Sequence, residues 1–330
     1  MNLYDLVLTM FIIFLLIACG YILRRKNILD DRGAKLLSFL VVNITNPAML
    51  LDAAISNEQA IAPDIFLRAL LLAVISYAIL IAASYLICPL LRIPRRSRYS
   101  YQMLTVYGNT AFIGFPVCVA VLGPESLVYV VINGLIFSIL IYTYGAALLR
   151  RAKRSQEITE TASGAPGPAF PSGERGGETG LRGLLRLLNI GTLSAAATIV
   201  IYLFNPPVTR VIADALSYMG RATVFLSMLV LGCSAASMPL RALFLEKPRM
   251  YLFLAIRMLL LPFVMVLAMK PFVSDPLLLG TMAVLLALPG ANMPLMMARE
   301  LDLDSADLSR GIILSTLLCI FTIPLVCLAL

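Results

Sequence analysis

"YGNTAFIGFP", residues 107–116, lies in the middle of an apolar run, and its reading decides the fold. Gly108, Asn109, Gly114 and Pro116 all sit here, about midway along a run long enough to cross a bilayer. Glycine loosens a helix, and proline removes a backbone donor and clashes with the preceding turn. A helix placed only to fill a membrane has no use for this combination.

The solvent for most of the chain is lipid. Of 330 residues, 60% are hydrophobic and 13% charged, against about 25% charged in a soluble domain. The mean hydropathy is +0.93. There is no His and no Trp. Histidine metal sites and histidine triads are therefore excluded. The six cysteines lie scattered in apolar runs without a CxxC pair, and read as buried thiols.

Apolar runs of about 20 residues fall near 4–23, 35–54, 65–91, 101–122, 126–149, 184–204, 214–238, 249–270, 277–298 and 309–330. They predict an all-α integral membrane protein of ten transmembrane helices. "LIAC" at 16–19 resembles a lipoprotein cleavage box, but residues 2–23 carry no Lys or Arg and "RRK" follows at 24–26. A secretory signal has its positive charge before the apolar run. The segment reads as a first transmembrane helix.

Connector charge alternates. "RRKNILDDRGAK", "RIPRRSR" and "RRAKR" follow runs one, three and five, whereas "LGPES" after run four has no base. Basic connectors mark the cytoplasm. With that assignment 21 of the 26 Lys and Arg residues lie at cytoplasmic ends. Both termini are then expected outside the cytoplasm. Membrane topology accounts for the net charge of +8, and no nucleic-acid partner is expected.

Residues 150–183 form the one hydrophilic stretch, including "SGAPGPAFPSGERGGETG" at 163–180. It reads as a disordered cytoplasmic linker between a first five-helix repeat, 1–149, and a second, 184–330. With five spans each, the halves enter the membrane in opposite directions, the arithmetic of an inverted repeat. If run four is broken, its partner, run nine, should be broken too. It reads "PGANMP" at 289–294, with Pro289, Gly290, Asn292 and Pro294.

Paired interrupted helices point to a transporter's binding site. The exposed half-helix N-termini donate to anions, and Asn109, Thr110, Asn292 and Met293 lie beside the breaks. In run two, "VVNITNPAML" places Asn43 and Asn46 inside an apolar stretch. They read either as pocket lining or as helix-packing amides. Arg257 lies about eight residues into run eight. It reads as a partner for an anionic substrate, as a residue whose stem snorkels toward the cytoplasmic end, or as a structural hydrogen-bond donor.

These residues resemble the auxin efflux carrier family, in its bacterial malate- and malonate-permease-like branch. The resemblance rests on "NPAMLL" at 46–51, "GNTAFIGFPV" at 108–117, "LRALF" at 240–244, "RMLLLP" at 257–262 and "STLLCIFTIPL" at 315–325. It implies a bile-acid-symporter-like fold: inverted five-plus-five repeats with crossed broken helices four and nine. It further implies a scaffold of helices 1, 2, 6 and 7, which dimerises, and a transport domain of helices 3–5 and 8–10 that slides as an elevator. Crossover residues carried over are Asn109, Pro116, Pro289, Asn292 and Pro294.

The expected function is secondary transport of small organic anions such as carboxylates across the cytoplasmic (inner) membrane. No cofactor and no metal is expected. Coupling to Na+ is compatible with the amides and hydroxyls, but no acidic residue inside run four or nine calls for it. The competing reading is a receptor or regulator that binds an anion without moving it. An intramembrane enzyme without His would need a Ser–Lys pair, two aspartates or a metal site; Lys270 lies near an outer end and no pair of aspartates occurs within the runs.

Overall fold

The computed structural model describes residues 3–56, 62–162, 190–236, 248–301, 303–328 and 330. Among them the chain is helical and contains no strand. In order the helices are α1 (Leu3–Arg25), α2 (Asp31–Leu40), α3 (Asn46–Ile55), α4 (Pro63–Leu90), α5 (Arg98–Val106), α6 (Phe115–Leu122), α7 (Leu127–Leu140) and α8 (Ala146–Ala162). After the polar segment come α9 (Ile190–Phe204), α10 (Arg210–Ala236), α11 (Pro248–Ala255), α12 (Leu261–Met269), α13 (Pro276–Leu286), α14 (Asn292–Glu300) and α15 (Ala306–Cys327).

Among the described residues five continuous helical stretches are long and apolar enough to cross a membrane: Arg32–Ile55, Pro63–Leu90, Pro124–Gln156, Pro248–Met269 and Ala306–Cys327. Their outward faces carry large apolar side chains, such as Leu67, Leu71, Ile75 and Phe321. Such faces suit lipid, since in water a continuous apolar band would drive association.

Proline shapes several of these helices. α2 passes into α3 through a π turn, Val41–Thr45, two residues before Pro47. The π turn Thr110–Gly114 precedes Pro116 in the same way, and Ile256–Leu260 precedes Pro262. A proline lacks the donor for the carbonyl four residues back and its ring presses on that carbonyl. Widening one turn relieves both problems: Asn46, Phe115 and Leu261 each donate five residues back, to Val41, Thr110 and Ile256. The helix continues, with one side chain re-aimed. A fourth π turn, Ile141–Gly145, has no proline after it.

The first part of the segment expected to be disordered is helical. α8 continues to Ala162, through "RRAKRSQEITETA". This stretch contains neither Gly nor Pro and is built mostly of good helix formers, so it extends the preceding helix. The remainder of 150–183, from residue 163, lies outside the described residues.

The helices pack mainly in two groups, joined by the packing of α9 on α7. α1 lies along α10, and α10 and α9 pack on α3. In the other group α4 packs on α5 and α7, α15 on α5 and α13, and α13 on α12 and α6. At one end of the second group Arg249 Nη1 donates to Arg92 O at 3.4 Å and Tyr99 Oη donates to Asp304 O at 2.5 Å. At the other end Lys270 Nζ donates to Leu330 O at 2.6 Å, and Tyr129 Oη donates to the Asp275 carboxylate. About 20 helical residues, roughly 30 Å, separate Arg249 from Lys270. The basic connector 92–98 and the acidic cap of α13 therefore lie on opposite faces.

Candidate functional site

Between these faces the two broken helices meet. The chain leaves the helix at 107–109, between α5 and the π turn, and at 287–291, between α13 and α14. The two breaks run antiparallel and pair: Asn109 N donates to Pro289 O at 2.8 Å, and Ala291 N donates to Tyr107 O at 2.9 Å. Backbone groups that a membrane would leave unsatisfied are thus matched against each other.

The breaks are narrower than the sequence suggests. Gly108, Pro289 and Gly290 lie in them. Gly114 closes the π turn, Pro116 is the second residue of α6, and Pro294 is the third residue of α14. Proline is tolerated in a first turn because its missing donor is an orphan there anyway. Gly290 has a packing role: a Cβ there would lie 2.6 Å from Leu104 Cδ2. Its N–H donates to Ser315 Oγ at 3.0 Å, which ties the second break to α15.

Asn109 is 3% exposed. Its Oδ1 accepts the N–H of Phe112 at 3.2 Å and caps the π turn, while its buried Nδ2 has no partner. Asn46, from α3, donates Nδ2 to Ala111 O at 2.9 Å, and its Oδ1 is likewise buried without a partner. Asn46 therefore reaches the first break from the other helix group. Asn43 does not reach it, because its Nδ2 donates at 3.0 Å to Phe39 O on its own helix. Asn292 and Met293 open α14, directly after the paired Ala291, and are half-buried.

Arg257 is buried and does not snorkel. Its Nε donates to Leu104 O at 3.2 Å and its Nη1 to Leu286 O at 2.7 Å. These carbonyls belong to the last turns of α5 and α13, the half-helices that end at the two breaks. Beside the guanidinium lies a cavity of about 20 Å³, lined in part by Ser76, Tyr77, Gly108, Thr110 and Asn133. That space holds about one water molecule. Tyr77 Oη donates to Asn133 Oδ1 at 3.1 Å in its lining.

Sequence reasoning missed Ser76, Tyr77, Asn133 and Ser315. Asn133 carried a signal, as a lone amide in the apolar "VVINGL". Ser76, Tyr77 and Ser315 carried none, since hydroxyls are common in membrane helices as packing residues. Among the described residues no group of His, Cys, Asp and Glu is placed to hold a metal ion.

A family model described as membrane transport protein matches residues 5–166 and 186–327. The chain belongs to the auxin efflux carrier family of membrane transport proteins. No curated protein sequence matches the chain. The two matched stretches carry the two breaks, one each, and together take in every residue of the crossing. In this carrier the crossing thus combines a paired backbone, two buried amides with unused hydrogen-bonding atoms, and a guanidinium on the two half-helix C-termini.

Proposed function

We propose that this carrier is a secondary transporter of small organic anions and that the crossing of its broken helices binds the substrate carboxylate. The supporting observation is the polarity of the crossing. The two C-terminal half-helix ends are covered by Arg257. The opposite pair, the starts of the Thr110 turn and of α14, presents N-terminal ends with partial positive charge. The buried Nδ2 of Asn109, without a protein partner, adds a donor there.

The proposed architecture is ten membrane spans in an inverted five-plus-five repeat. Among the described residues the fifteen helices form ten segments when the three pairs joined by π turns and the two broken pairs are each counted as one, and these segments overlap the ten apolar runs, which supports it. α1–α3, α9 and α10 form the scaffold and the dimer contact. α4–α8 and α11–α15 slide as a body and carry the crossing across the inner membrane. The packing within each group supports this division, and α9 against α7 is the contact along which the two would slide. Membership of a transport family weighs against a receptor that only binds its ligand.

The test is flux in proteoliposomes, with labelled dicarboxylates and aromatic carboxylates under an imposed potential. The wild type should take up at least one of them. Asn109→Ala and Asn292→Ala should each reduce uptake about tenfold or more, the loss of one charge-assisted hydrogen bond; half-buried Asn292→Ala should melt close to the wild type, whereas Asn109→Ala also loses the cap on Phe112 N–H and should melt somewhat lower. Absence of flux for every anion would overturn the substrate class. Unchanged flux in both variants would move the binding site away from the crossing.

A further inference from the structure

We propose that Arg257 is a built-in counter-cation: its guanidinium fills a carbonyl-lined cation site at the crossing, and removing it uncovers a site for a small monovalent cation. The inference concerns what holds the crossing together. It does not depend on which substrate moves.

A helix C-terminus carries roughly half a negative charge on its last carbonyls. Here two such ends converge inside the bundle. Leu104 O and Leu286 O are among the carbonyls that the helix itself leaves unpaired. The donor four residues after Leu104 is Gly108, which sits in the crossing. The donor four residues after Leu286 is Gly290, whose N–H is committed to Ser315. Both carbonyls therefore need a partner from elsewhere, and two converging partial negative charges favour a positive one.

Broken-helix transporters commonly meet this need with a coupling ion, held by unwound carbonyls and half-helix C-termini. In this chain the need is met covalently. Arg257 reaches both carbonyls, at 3.2 and 2.7 Å. Its aim follows from local structure, because the π turn Ile256–Leu260 before Pro262 rotates this residue out of regular α register. Guanidinium suits the task. It stays charged under all relevant conditions and has several donors in one plane.

The surroundings are also those of a cation site. Thr110, Ser76 and Tyr77 bring hydroxyls to the adjoining cavity and Asn133 brings an amide. Ser76 Oγ donates to Leu72 O at 2.6 Å, so its lone pairs remain available. Oxygen ligands of this kind bind hard cations. With the arginine shortened, the two carbonyls and these oxygens would surround the vacated volume.

The experiment is thermal melting of the purified full-length protein in detergent. A thiol-reactive dye gives the readout, since the chain has no Trp and five of its six cysteines are buried. Wild type, Arg257→Ala, Arg257→Gln and Arg257→Lys are compared in chloride salts of choline, K+, Na+ and guanidinium at equal, low concentration. The wild type should melt at the same temperature in all four salts. The Ala and Gln variants should melt at least about 5 °C lower in choline, and Na+ or guanidinium should restore half or more of the loss. The Lys variant should stay close to the wild type and show little cation response.

A residue that only fills space would give Ala and Gln variants with the same deficit in every salt, and that result overturns the proposal. A wild type stabilised by Na+ over choline overturns it as well, because the site would then not be filled by Arg257. If the Ala variant does not fold, the Gln and Lys pair decides by the same criteria. None of these outcomes involves anion flux, so failure here and failure of the transport reading are separate results.

Discussion

Gly108 and Gly290 face each other in an antiparallel bridge whose two hydrogen bonds are made by their neighbours, Asn109 to Pro289 and Ala291 to Tyr107. In such a non-hydrogen-bonded pair the two Cα atoms come closest, about 4.5 Å. Two glycines at this point let the half-helices cross backbone to backbone. The crossing is held from three further directions: Asn46 of α3 on Ala111, Ser315 of α15 on Gly290, and Arg257 on the two helix ends.

Gly290→Ala should destabilise the protein, by on the order of 1–3 kcal/mol. Its Cβ would fall 2.6 Å from Leu104 Cδ2 and 3.2 Å from Ile312 Cγ1. The Leu104 side chain has little room to yield. A Cβ on Gly311 would fall 2.2 Å from its other methyl, so the leucine is enclosed by two glycines. Adding Leu104→Ala should therefore recover part of the loss, even though the leucine is buried and its truncation alone should also destabilise. Melting of the single and double variants checks this. Simple additivity of the two losses would show that Leu104 is not what Gly290→Ala strikes.

The two breaks were legible in the sequence because glycine and proline in an apolar run conflict with a plain helix. Their pairing was expected from the halves' symmetry and the family resemblance, not from any residue that announces a backbone bridge. Gly114, Pro116 and Pro294 drew attention for the same chemical reason, yet they sit in helical turns, since a π turn or a first turn absorbs a proline without leaving the helix. Arg257 was legible as an anomaly, but its partners were not. They are backbone carbonyls, and every residue has one. Ser76 and Tyr77 look the same in sequence whether they pack or line a cavity. The helix through 150–162 was hidden by the Gly- and Pro-rich composition of residues 163–180.

Glycine also controls the contact between α1 and α10. A Cβ on Gly232 would lie 2.0 Å from Ile17 O, and one on Gly20 would lie 2.3 Å from Leu229 O. These are backbone atoms that no rotamer change can move. Gly20→Ala and Gly232→Ala should each separate the helices and lower the melting temperature sharply. Gly134, in α7, gives the contrast, because a Cβ there would meet nothing within 4 Å. Gly134→Ala should be neutral or stabilising by roughly 0.5–1 kcal/mol, the ordinary gain for glycine in a helix interior. If Gly134→Ala destabilises as much as Gly232→Ala, sensitivity to glycine replacement is general and not a property of this contact.

The orientation in the membrane is open to direct test with two exposed positions at opposite ends of the bundle. Arg96 lies in the basic connector between α4 and α5, and Ser274 lies just before the Asp275 cap of α13. The abundance of Arg and Lys on the Arg96 side predicts, under the positive-inside rule, that it faces the cytoplasm. The partly accessible Cys19 is first replaced by serine, leaving five buried cysteines as a silent background. Arg96→Cys and Ser274→Cys are then introduced separately. In intact cells a membrane-impermeant maleimide should label Ser274→Cys at once and reach Arg96→Cys only after permeabilisation. The reverse pattern would place both termini in the cytoplasm and would turn the Asn109 side of the crossing toward the other compartment in any inward- or outward-facing assignment.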